Sequence, residues 1–220
     1  MTSPTNSVND APIWSTRVKL DRAEKHLQDL DAEISAFIAR NPYRLFCDED
    51  SEPAIKIYRI KVIEPIPSHW SAAIGDVIHN IRAALDCLAT SLVWRAGHTS
   101  NSAVEDAYFP IRANAAGLGD RACSAFFKRI GADAEKFIRA IEPYKGGKGE
   151  LLWILSKLDI LDKHRALIPA GATFGQISIN SNSPLLVCLT NISLLKTAMK
   201  CLEASSLKIT SIPTQKFPSL

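Results

Sequence analysis

Residues 75–94 read GDVIHNIRAALDCLATSLVW, and the fold turns on how this stretch divides between its two faces. Val77, Ile78, Ile81, Ala84, Leu85, Leu88 and Leu92 fall on one side of a wheel of 3.6 residues per turn, which predicts an α-helix with a buried stripe. Asp76, His79, Asn80, Ala83, Asp86 and Cys87 fall on the other side, with Arg82 at the edge. A helix face left to water is usually built of Lys and Glu. His, Asn, Asp and Cys are poorer helix formers, so their company points to a buried polar cluster.

Upstream, Val18, Leu20 or Ala23, Leu27, Leu30, Ile34, Phe37 and Ile38 recur at three- and four-residue steps. They predict an amphipathic helix over 14–39, its outer face charged and its apolar stripe laid on the central helix. Asn41-Pro42 ends it. Residues 43–47 and 54–63 read as two strands around the acidic turn at 48–52. Glu64-Pro65-Ile66-Pro67 closes the second strand, because proline cannot donate to a ladder. Ser68 is placed to cap a helix that starts near His69 and runs into the central stretch.

Downstream, 95–106 reads as a loop and Tyr108-Phe109-Pro110-Ile111 as an extended segment. Residues 120–130 and 132–141 read as short helices split by Gly131, stopped by Pro143-Tyr144. The loop Lys145-Gly146-Gly147-Lys148-Gly149 precedes a helix, which invites a phosphate reading. It lacks the G-x-x-x-x-G-K-[ST] order, so a flexible connection is the expectation. Residues 150–165, ELLWILSKLDILDKHR, are apolar around nearly the whole wheel, as expected of a helix in the centre of a domain. Past Gly171 charges thin out, and short strands are expected near 174–179 and 185–189.

The expected fold is therefore α+β, a mainly helical bundle with a small antiparallel sheet made of a hairpin near 43–63 plus C-terminal strands. Residues 13–170 form the bundle and hairpin, and 171–220 an appendage. The chain has 220 residues, 46% hydrophobic and 22% charged, with a formal net charge of +3. That composition fits a soluble globular domain, and the charge is too small to argue for nucleic acid or an anionic membrane. The five cysteines are scattered with no C-x-x-C pair, so reduced thiols in a cytoplasm are expected. No signal peptide and no run of roughly 18 apolar residues is visible, and no membrane partner is expected.

The candidate site comprises Asp76, His79, Asn80, Arg82 and Asp86 on the central helix with Asp162, Lys163, His164 and Arg165 on the later one. Read as catalytic, His79, Arg82, Asp86 and His164 are the groups able to move a proton or stabilise developing charge. Read as structural, Arg82 pairs with Asp86 and Asp162 with Arg165. Crossed pairs, Arg165 with Asp86 and Arg82 with Asp162, would lock the two helices in register. Asp76, His79, Asp86 and His164 have the chemistry of metal ligands, but nothing in their spacing fixes a geometry. No metal and no cofactor is expected.

The ordered set G-D-x-x-H-N-x-R-x-A-L-D, F-P-I, P-Y and L-D-x-x-D-K-H-R resembles a family of uncharacterised bacterial proteins. It is carried here by Gly75, Asp76, His79, Asn80, Arg82, Asp86, Phe109-Pro110-Ile111, Pro143-Tyr144 and Asp162-Lys163-His164-Arg165, over about 14–168. Family members commonly read R-x-A-L-D-H in the central helix. The resulting Arg-x4-His spacing is similar to the motif of HEPN-type helical domains, some of which are metal-independent ribonucleases. That resemblance implies His in proton transfer and Arg stabilising the charge of a phosphorane. Here the position after Arg82-x4 is Cys87, a poor substitute for imidazole near neutral pH. The first expectation is a cytoplasmic, non-catalytic or degenerate HEPN-like binding module, with a second copy of itself, or RNA or a nucleotide, as partner. The second is a metal-independent ribonuclease or phosphodiesterase using the central polar cluster.

Overall fold

Pro42 and the Pro65-Ile66-Pro67 segment cut the N-terminal half of the chain into a helix, a hairpin and a second helix. The computed structural model describes residues 11–49 and 56–164. Helix α1 spans Ala11–Ala39, strands β1 and β2 span Tyr43–Glu49 and Lys56–Val62, and α2 spans His69–Arg95. The strands pair antiparallel, Tyr43 opposite Val62 and Glu49 opposite Lys56. Among the described residues this hairpin is the whole sheet. The strands expected after residue 171, and the appendage they belong to, lie outside the described residues.

Helix α2 is the axis of the structure. Val77, Ile78, Ile81, Ala84, Leu85, Leu88 and Leu92 are all buried, the stripe read from the 3.6-residue period. Helix α1 packs on it through Leu20, Ala23, Leu27 and Leu30, also buried, whereas Val18, expected on the same stripe, is exposed, because it falls on the far side of the helix from these four residues. Glu33, late in α1, accepts hydrogen bonds from the Trp70 indole at 2.9 Å and meets His69 Nε2 at 2.7 Å, both at the start of α2. The two long helices therefore run antiparallel, joined by the hairpin. At that end Phe37 packs edge-on against Trp70 and Tyr43, with centroids 5.2 and 6.3 Å apart. Ser68 stands at the start of α2 in a helical conformation and makes no side-chain cap.

Residues 101–141 pack on α2 after the hairpin end. A short helix α3, Asn101–Glu105, lies inside the stretch read as loop. It has no buried residues and too few turns to leave a periodic signal. Helix α4 (Arg121–Ile130) and helix α5 (Ala132–Ile141) follow, with Gly131 between them at φ +84°. That left-handed backbone sharply turns the chain, and an L side chain there is strained. Phe126, Phe127, Ile130 and Ile138 join the core around α2. Asp120 caps α4, accepting from the Cys123 amide at 2.7 Å, and also pairs with Arg112 at 2.7 Å.

Helix α6, Glu150–His164, lies against α2. The expectation that it is buried all round is not met. Leu152 and Leu155 are buried, whereas Ile160 and Leu161 are exposed among the described residues. Among the described residues the buried face is Leu152, Leu155 and Asp159, the side turned to α2. The preceding Lys- and Gly-rich loop is compact. Glu142, in a left-handed conformation at the end of α5, accepts from the Lys148 amide at 3.0 Å with its carboxylate and from the Gly149 amide at 3.1 Å with its carbonyl. Loop amides that would cradle a phosphate are thus occupied by the chain itself. No described helix is long and apolar enough to cross a membrane.

Candidate functional site

The polar residues of α2 fall into two groups with different surroundings. The first is Arg82 and Asp86, one turn apart. Arg82 Nη1 donates to Asp86 Oδ1 at 2.6 Å, both side chains being mostly buried. The same oxygen accepts the backbone N–H of Phe109 at 3.0 Å. Phe109 is itself buried against α2. Asp86 therefore satisfies an amide that the extended 107–111 segment would otherwise bury unpaired, and Arg82 balances its charge.

Cys87 follows Asp86 and is half-buried. Burial pushes its thiol above the ordinary value, with Lys19 opposing and Asp86 adding to the rise. At neutral pH it is a protonated thiol and not a proton acceptor. Cys123, elsewhere in the core, is raised further, to about 11, also by burial.

The second group lies one turn earlier, where α2 meets α6. Asp159 is a buried carboxylate, its side chain 6% exposed, facing α2 from α6. Its Oδ1 lies 3.3 Å from His79 Nδ1, and its Oδ2 accepts from Lys163 Nζ at 2.6 Å. His79 and Lys163 are both more than half exposed. With Nδ1 protonated, the His79 ring donates to Asp159 and keeps Nε2 as a proton acceptor. The arrangement is a histidine oriented by a buried carboxylate, with an ammonium on the other oxygen.

One turn further, Asp162 lies beside Gly75. A Cβ built on Gly75 would stand 2.5 Å from Asp162 Oδ2. Glycine in the middle of a helix costs about 0.5–1 kcal/mol relative to alanine, and here it admits a carboxylate to the backbone of α2. Gly75 opposite Asp162 and His79 opposite Asp159 make α2 and α6 antiparallel. That register explains why Arg82 turns to Asp86 and not to Asp162. Arg82 lies seven residues beyond Gly75, about 10 Å along the helix axis.

The candidate residues are thus divided. Arg82 and Asp86 meet each other, while His79 and Lys163 meet through Asp159. Asp76 is exposed, and its carbonyl accepts from the Asn80 side chain at 2.8 Å. The side chain of His164 and the whole of Arg165 lie outside the described residues, and with them the expected Arg165–Asp86 and Arg165–Asp162 pairs. Asp159 is not among the residues expected from the sequence, since it stands outside the Asp162-Lys163-His164-Arg165 cluster. Its signal is the spacing Leu152, Leu155, Asp159, which puts a carboxylate on the buried stripe, with Lys163 four residues on to neutralise it. Among the described residues no three His, Cys, Asp or Glu side chains are grouped to hold a metal ion. Set against known proteins, the chain matches no family model, no curated protein and no solved structure.

Proposed function

We propose that this chain is a non-catalytic or degenerate HEPN-like binding module of a bacterial cytoplasm, with RNA or a nucleotide as its ligand. The observation that carries the reading is the engagement of Arg82. In an active Arg-x4-His pair the guanidinium would be offered to a phosphate. Here it lies on Asp86, and Asp86 holds the Phe109 amide. Releasing Arg82 would leave a mostly buried carboxylate without its counter-charge. The partner position carries the protonated Cys87 thiol in place of imidazole.

A second reading draws on His79. With Nδ1 donating to Asp159, Nε2 is the ring nitrogen left to accept a proton, and the Lys163 ammonium sits on the other oxygen of the same carboxylate. A metal-independent ribonuclease could use that pair on the 2′-hydroxyl and phosphate of RNA.

One experiment separates the two. The full chain is incubated with a labelled single-stranded RNA, and both retardation and cleavage are read. Binding without cleavage is expected, with Cys87→His the variant best placed to restore cutting. Cleavage by the unaltered chain, abolished by His79→Ala, would replace the first reading with the second. Absence of both retardation and cleavage would remove RNA as the ligand.

A further inference from the structure

The His79–Asp159 pair joins a buried carboxylate to an open imidazole. Asp159 lies on the inner stripe of α6 with its side chain 6% exposed, whereas the His79 side chain it meets on α2 is 56% exposed. Nδ1 donates to Asp159 Oδ1 at 3.3 Å, which fixes the tautomer and leaves the lone pair on Nε2. Among the described residues Asp159 is the group that His79 meets, so that lone pair faces water. Lys163 Nζ, on Asp159 Oδ2 at 2.6 Å, compensates the charge of the buried carboxylate.

A histidine that moves protons for a bound substrate works in a closed cleft, against a reacting group held beside it. The His79 ring stands instead on an exposed helix face. What it offers there is a nucleophilic nitrogen of fixed tautomer, oriented by a third group. Attack by Nε2 on an electrophile makes the ring cationic. The charge then appears at the Nδ1–H that Asp159 already holds, so the carboxylate stabilises the step where charge develops. Asp76 and Asp162 stand toward Gly75, a turn before His79, and Lys163 is the exposed cation on the same carboxylate. These surroundings suit one small phosphoryl group better than a polyanion.

We infer that His79 is a phosphoryl-acceptor site, modified on Nε2 by a small acyl phosphate. The Nε2 lone pair attacks phosphorus. The N–P bond forms as the P–O bond to the acyl group breaks, and the carboxylate leaves with that electron pair. No proton has to move, because Nδ1–H stays on Asp159. The product is a phosphoramidate on an open surface, from which the group can be passed on or lost to water. Its negative charge alters the α2–α6 face beside Lys163, as a local charge switch does.

This inference does not rest on RNA as the ligand. The full chain is incubated with acetyl phosphate, and the modified residue is found by mass and its linkage by phosphorus NMR. One acid-labile phosphoryl group on His79 Nε2 is expected, and none in His79→Gln. His98, also exposed, is the internal standard, and His79 is expected to react about tenfold faster or more. Asp159→Asn, which can keep the hydrogen bond but loses the charge, is expected to bring His79 down toward the rate of His98. Lys163→Gln, at a side chain that reaches solvent, keeps the test open should Asp159→Asn not fold, and a slower His79 is expected there too. No label on His79, equal rates at His79 and His98, linkage through Nδ1, or an unchanged His79 rate in a folded Asp159→Asn or Lys163→Gln chain would each overturn the proposal.

Discussion

At the scale of single residues, Gly75 shows how a helix-breaking residue is tolerated. Its position inside α2 runs against helix propensity, and the approach of Asp162 accounts for it. Gly75→Ala improves helix propensity by about 0.5–1 kcal/mol but places a methyl group where the Asp162 carboxylate lies. The variant is expected to melt below the unaltered protein. In an Asp162→Ala background the same change is expected to raise the melting temperature. A thermal double-mutant cycle checks this, and additive effects would show that the two residues do not contact.

At the scale of elements, the decisive ties are between α2 and what surrounds it. Asp86 joins α2 to the Phe109 segment, while Arg82 touches only Asp86 among these groups. Removing Asp86 strands both a buried amide and a guanidinium; removing Arg82 leaves Asp86 one good partner. Asp86→Ala is therefore expected to cost more than Arg82→Ala, the excess being about 1–3 kcal/mol for the unsatisfied amide. Chemical denaturation of the two variants gives the order directly, and equal losses would sink the argument. The α2–α6 tie has another character. Asp159 is buried, but both its partners reach solvent, so it positions His79 at modest cost to Lys163 and His79 themselves.

At the scale of the whole molecule, acid tests how the α4 cap and the Arg112 segment belong to one cooperative unit. The Arg112 guanidinium, and then the Cys123 amide, hold the Asp120 carboxyl down to about 2. In the unfolded chain the group returns to an ordinary aspartate value. A depressed folded value means that the contribution is present above the unfolded value and is lost as pH falls from about 4 toward 2. The melting temperature is expected to fall across that window, and Asp120→Asn to flatten part of the fall. Unchanged acid dependence in the variant would show that other carboxylates control acid unfolding.

Sequence alone determined the helices long enough to repeat their burial, because that period is imposed by backbone geometry, and it missed only the five-residue α3 among the described α-helices. The α2 stripe, the α1 stripe apart from Val18, and the hairpin are legible in the spacing of Leu, Ile and Val and in the prolines between them. It also marked His79, Arg82 and Asp86 as unusual company on a helix. What it could not determine was pairing between elements. Whether Arg82 meets Asp86 or Asp162 depends on how far α6 slides along α2, and every register keeps the same apolar pattern. Only the tertiary structure decided that, by bringing Asp162 to Gly75 and so placing Asp159 beside His79.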